Sequence, residues 1–141
     1  GPLAMTKALA FYGAPGYVVR AYATRDAALR AAAIALSATR SPVLLLAWWG
    51  AHTWVMTGYR ATGDLAADPR ATLTGAYIVD PWYPKVSSIW GHVQPPSHFY
   101  DLAGLAHNYI AWKRPEGHYP DRDGRWVAVI PTQPLPVTLA R

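Results

Sequence analysis

His52 opens an apolar, strand-like run, His52-Thr-Trp-Val-Met-Thr-Gly-Tyr59, and Asp80-Pro81 closes a second, Ala76-Tyr-Ile-Val-Asp80. If the two runs pair as a hairpin, the imidazole and the carboxylate meet at one end. A carboxylate that orients an imidazole makes it a directed general base, the rear two members of a nucleophile-base-orienter triad. The front member is missing, because the chain contains no cysteine. Ser87, Ser88 and Ser97 lie in no Gly-x-Ser-x-Gly context and read as turn or cap residues.

The elements that must position the pair follow from register. In an antiparallel pair the sum of facing residue numbers is constant, so setting His52 against Asp80 places Trp54 against Ile78 and Thr57 against Gly75. Alternation then puts His52, Trp54 and Met56 on one face with Ile78 and Asp80, and Thr53, Val55 and Thr57 on the other with Tyr77 and Val79. Pro81 biases Asp80 toward the extended region, which suits a fixed strand end. The connection from Arg60 to Thr74 carries the turn dipeptides Gly63-Asp64 and Asp68-Pro69, and its length predicts a projecting loop.

The succession Ser41-Pro-Val-Leu-Leu-Leu-Ala, Gly50-Ala-His52-Thr-Trp-Val-Met-Thr-Gly-Tyr59 and Tyr77-Ile-Val-Asp80-Pro81 resembles the C39-like branch of the papain-like cysteine peptidases. In that family a helix begins with the catalytic Cys, a sheet follows, a His opens one central strand, and Asp or Asn before Pro ends the next. The resemblance covers residues 40–82, and more loosely the helix before them and the strand near Trp126. It implies an α+β fold, a papain-like antiparallel sheet with one or two flanking helices, whose N-terminal Cys-bearing helical part is absent from this sequence. It also implies His52 as general base, Asp80 as its orienter and a peptide or protein as substrate. With no Cys in the chain, the domain as it stands is expected to be inactive. The alternative is a non-catalytic module that binds peptides or glycans on the same scaffold.

Trp48, Trp49, Trp82, Tyr83 and Trp90 could line a groove that stacks on sugars or peptides, with Trp49, Trp82 and Trp90 the candidate substrate-binding residues. His92, His98, His107 and His118 lack the close helical spacing of a two-His metal motif, so neither a metal nor a cofactor is expected.

The remaining elements are read from periodicity and caps. Met5 to Phe11 reads as a short helix stopped by Gly13 and Pro15, and Tyr17 to Tyr22 alternates like a strand. Thr24 is a candidate N-cap for a helix over residues 27–39 that aligns Leu29, Ala33 and Leu36. Residues 83–96 read as irregular, and Ser97 as the cap of a helix from Phe99 to Leu105. Tyr109 to Trp112 and Arg125 to Ile130 read as strands, with turn chemistry between them.

At 141 residues and 52% hydrophobic, the chain can bury one core. Gly1-Pro2 resembles the remnant of a cleaved tag, which makes residues 1–4 foreign, 5–131 a single domain and 132–141 an extended tail. The net charge of +5 comes from ten Arg and three Lys scattered along the chain, without a basic stripe, so no specific nucleic-acid binding is expected. The uncharged run from Pro42 to Tyr59 approaches membrane length, but Gly50 interrupts it and its second half alternates, which favours two strands over a transmembrane segment. A sheet lobe without its Cys-bearing helices would expose apolar surface, so self-association or docking to a Cys-bearing segment is expected.

Overall fold

The computed structural model describes residues 1–114 and 117–136. The first helix, α1 (Pro2–Phe11), starts at Pro2 and not at Met5, because proline at the first helical position is already set at a helical φ and has no N–H to leave unpaired. Strand β1 (Tyr17–Tyr22) leads into α2 (Arg25–Thr39). Thr24 caps α2 through its hydroxyl, which accepts from the Ala27 amide at 3.1 Å, and Asp26 complements the dipole of the first turn. Leu29 and Ala33 are buried, while Leu36 lies half-buried at the margin.

The hairpin strands are β2 (Val43–Ala47), β3 (His52–Ala61) and β4 (Leu73–Val79), followed by a small ribbon of β5 (Val86–Ser87) and β6 (Gly91–His92). Then come β7 (His98–Asp101), α3 (Leu102–Asn108) and β8 (Trp126–Pro131). Six strands form one sheet in the order β1-β8-β2-β3-β4-β7, every pairing antiparallel. The chain is therefore α+β, with three helices on an antiparallel sheet among the described residues. No helix among them is long and apolar enough to cross a membrane.

Alternation divides the core between the two faces of the sheet. Val43, Leu45, Ala47, Trp54, Met56, Ile78 and Ala128 belong to the larger cluster, which α2 covers with Leu29, Ala32 and Ala33 and α3 with Leu105. Tyr17, Leu46, Val127 and Val129 belong to the second cluster with Trp112, against which Met5 and Leu9 of α1 pack. His52 and Asp80 have the parity of the first face, and His52 starts β3 just after the turn whose Trp48 bonds to Asn108 at the C-terminal end of α3.

Three local expectations are corrected. Ser97 does not cap a helix: it takes a left-handed φ of 62°, and residues 98–101 pair with β4, as aromatic residues with a free edge beside them favour. Asp101 is the cap instead, its carboxylate accepting from the Gly104 amide at 2.9 Å. Tyr109 to Trp112 is not a strand, although Trp112 exchanges two backbone hydrogen bonds with Gly124 and Arg125. The loop after β3 does not project. The Arg30 guanidinium, on α2, donates to the carbonyls of Leu65, Asp68 and Ala71 and folds the loop down, burying Leu65 and Ala71. At the C-terminal end the Thr132 amide donates to Gly16 and the Leu135 amide to the Ser41 hydroxyl, so this part of the expected tail lies along the domain. Residues 137–141 of that tail lie outside the described residues.

Candidate functional site

The hairpin forms, in a different register. Val55 faces Val79 and Met56 faces Ile78, so facing numbers are displaced by two from the expected alignment, and one further step along the ladder sets Trp54 against Asp80. Two irregularities, after Met56 and after Arg60, break the constant sum on which the sequence argument relied. An even displacement preserves the faces. His52, Trp54, Ile78 and Asp80 therefore share one side as expected, and His52 reaches diagonally to the carboxylate.

The His52 Nε2 lies 2.6 Å from Asp80 Oδ1, and both groups are sheltered, with side-chain exposures of 11% and 4%. Asp80 accepts three hydrogen bonds. Oδ1 also takes the Trp82 amide at 2.9 Å, and Oδ2 takes Trp54 Nε1 at 2.8 Å. With Nε2 donating to the carboxylate, the tautomer places the lone pair on Nδ1. No hydrogen bond to Nδ1 is formed among the described residues. Tyr100, whose ring is 4.7 Å from that of Trp54, has its phenol raised above the ordinary range by burial first and by the Asp80 charge second, while a hydrogen bond with the Gln94 backbone opposes the shift. It stays neutral beside the carboxylate.

The aromatic residues form a cluster around the imidazole. Trp48 stacks on His52 with centroids 4.1 Å apart and planes 19° apart, and Trp82 approaches edge-on at 6.2 Å. Trp90 stacks against Trp48 at 5.9 Å, and Trp49 meets Trp90 edge-on at 5.2 Å. The structure thus brings together Trp49, Trp82 and Trp90 with His52 and Asp80. Trp49 and Trp82 are 40% and 38% exposed, so their faces are partly open to a ligand. A cavity of about 400 Å³ lies beside Asp80, lined by Trp48, Trp90, His98, Tyr100 and His107.

The turn between β2 and β3 achieves this placement with three successive positive φ angles, 52° at Trp48, 58° at Trp49 and 84° at Gly50. Left-handed backbone at a bulky residue costs on the order of 1–3 kcal/mol. Trp48 is retained there by a hydrogen bond from Nε1 to Asn108 Oδ1 at 3.0 Å. Sequence reasoning did not identify Trp54 or Asn108 as parts of this site. Trp54 carried a usable signal, being on the His52 face two residues along the strand, whereas nothing in the sequence marks Asn108.

Ser87 is a turn residue, its hydroxyl accepting from the Ile89 and Trp90 amides. His98 packs edge-on against Tyr100, and His107 against Trp90. Among the described residues no group of three or more His, Asp or Glu side chains is placed to hold a metal ion.

No family model matches the chain, and neither a curated protein nor a solved structure matches it significantly.

Proposed function

We propose that this chain is a cysteine-peptidase-like domain of the papain-like, C39-like kind, which supplies the base and its orienter to a cysteine carried outside the sequence in hand. The observation that carries the reading is the 2.6 Å pair of His52 and Asp80, sheltered by tryptophans with Nδ1 left without a hydrogen-bond partner among the described residues. In such a site Nδ1 takes the thiol proton, and the thiolate attacks the peptide carbonyl. The imidazolium then returns that proton to the leaving amine, and water hydrolyses the thioester to release the acid and the thiol. Asp80 stabilises the imidazolium through Nε2, and its own orientation is fixed by Trp54 and the Trp82 amide. Alone, the domain has no nucleophile and is inactive.

The full translation product of the gene, treated with iodoacetamide and weighed intact, tests this. Rapid formation of one adduct, slowed at least tenfold by His52→Ala, is expected. The absence of any rapidly formed adduct overturns the reading.

A second reading is favoured by the exposure of Trp49 and Trp82: a non-catalytic module that holds peptides or glycans against these rings. Peptide or oligosaccharide titration that quenches tryptophan fluorescence, with the response lost in Trp49→Ala and no thiol adduct in the full product, selects it.

Under the first reading a Cys-bearing segment docks near Nδ1, and Tyr83, Val86 and Ile89, in the stretch that follows Trp82, are exposed apolar side chains. A second copy of the chain could cover the same apolar surface but brings no cysteine. Sedimentation at rising concentration separates these: self-association is expected, and a strict monomer throughout removes the second copy as occupant.

A further inference from the structure

The bond to Cβ and a hydrogen bond from Nε2 anchor an imidazole at two points, yet within the tolerance of that hydrogen bond the ring can still turn about Cβ–Cγ, which swings Nδ1. What stops that turn at His52 is a flat surface. The Trp48 indole lies 4.1 Å from the imidazole centroid and only 19° from parallel, while Trp82 stands edge-on on a different bearing at 6.2 Å, too distant to set the ring plane.

The Trp48 indole is itself held from two sides. Its Nε1 donates to Asn108 Oδ1 at 3.0 Å, and the Asn108 amide nitrogen donates to the Gly104 carbonyl at 3.0 Å, tying the pair to α3. Trp90 stacks on it at 5.9 Å and 10°. The left-handed φ of 52° at Trp48 indicates that the surrounding structure over-determines a backbone conformation that a bulky side chain disfavours.

The geometry points to Trp48 as the positioning residue that sets the plane of the His52 imidazole, and hence the direction of Nδ1, with Asn108 acting on His52 only through Trp48. The groups facing the ring are Asp80 at Nε2, Trp48 on one face and the Trp82 edge, and Lys85 Nζ lies beyond, 4.9 Å from the Trp82 ring centroid. The role of Trp48 in positioning holds whether or not a cysteine is supplied, although its use in catalysis rests on the peptidase reading.

The test reads the side-chain protons directly, by nitrogen-15 NMR of the isolated chain. Clamping protects the His52 Nε2–H from solvent exchange. Trp48→Leu is expected to speed that exchange about tenfold, Asn108→Ala to speed it severalfold, and Trp48→Phe, which keeps an aromatic face, to stay within about twofold of wild type. Adding Asn108→Ala to Trp48→Leu should change nothing further. The Trp54 Nε1–H is the internal control, since it binds the same carboxylate through the other oxygen. Its exchange should be unaltered, which a general loosening of the fold would not allow. Should Trp48→Leu not fold, Asn108→Ala alone carries the test. Unchanged exchange at His52, or exchange at His52 and Trp54 rising in step, overturns the assignment. No thiol chemistry enters the measurement, so its failure is distinct from failure of the peptidase reading.

Discussion

Trp54 and His52, two positions apart on β3, share one carboxylate: His52 Nε2 binds Oδ1 of Asp80 at 2.6 Å, and Trp54 Nε1 binds Oδ2 at 2.8 Å. The period-two alternation of a strand makes this possible, because both side chains leave β3 on the face where Asp80 follows the last residue of β4. A buried carboxylate with one oxygen unsatisfied is costly, so Trp54 supports the dyad chemically as well as filling the core.

Trp54→Phe keeps most of the ring but removes the donor to Oδ2. The expected loss is roughly 2 kcal/mol of folding stability, from a buried hydrogen bond to a charged group. Urea denaturation checks it. A loss below about 0.5 kcal/mol would mean that water or a neighbouring group replaces the indole N–H.

Gly50 gives a sharper expectation. Its φ of 84° suits glycine, and a Cβ built there falls 2.2 Å from Trp112 Cε3. Gly50→Ala therefore combines backbone strain with a clash against a buried indole, and should cost at least about 2 kcal/mol. Since Gly50 follows Trp48 and Trp49 in the same turn, the variant should also disturb the His52 ring resonances. Near-wild-type stability would show that Trp112 moves aside freely.

The site was legible in the sequence where chemistry and alternation coincide. His52, Asp80 and their shared face follow from residue type and parity, and an even register displacement left both intact. The register itself was missed because His52 was set directly opposite Asp80, whereas it reaches the carboxylate diagonally from one pair further along the ladder. The helix α2 was readable from Thr24 and its alanine content. By contrast, the start of α3 was misplaced because Ser97 and Asp101 are both acceptable caps, and only pairing of the intervening aromatic residues with β4 decides between them. Asn108 became visible only when the turn of Trp48 and the end of α3 met in space.

Arg30 shows how a long loop is held without secondary structure of its own. Its guanidinium donates to three carbonyls, those of Leu65, Asp68 and Ala71, at 2.6–2.9 Å. Arg30→Met retains much of the apolar stem and removes the donors. A stability loss of about 2 kcal/mol is expected, together with faster proteolytic cleavage between Gly63 and Arg70. Cleavage at the wild-type rate would show that Leu65 and Ala71 hold the loop by burial alone.

Tyr109 predicts a sensitivity to alkali. It is fully buried, its hydroxyl donates to the Val127 carbonyl at 2.9 Å, and burial first, then the neighbouring Tyr22, raise its phenol far above the ordinary range despite Arg25. Below about pH 10 the phenol is neutral in both the folded and unfolded chain and contributes no pH dependence. Above that value the unfolded chain loses the proton and the folded one keeps it, so the folded state binds more protons and stability falls as pH rises. One such group lowers stability by about 1.4 kcal/mol between pH 9 and pH 11. Tyr17, Tyr22 and Tyr100, also raised by burial, act in the same direction. Tyr109→Phe is expected to be less stable than wild type at pH 8, having lost the bond to Val127, yet to decline less steeply from pH 9 to pH 11. Urea midpoints across that range decide the matter. Parallel declines in the two proteins would mean that Tyr109 ionises within the folded chain, so that its burial does not hold the phenol neutral.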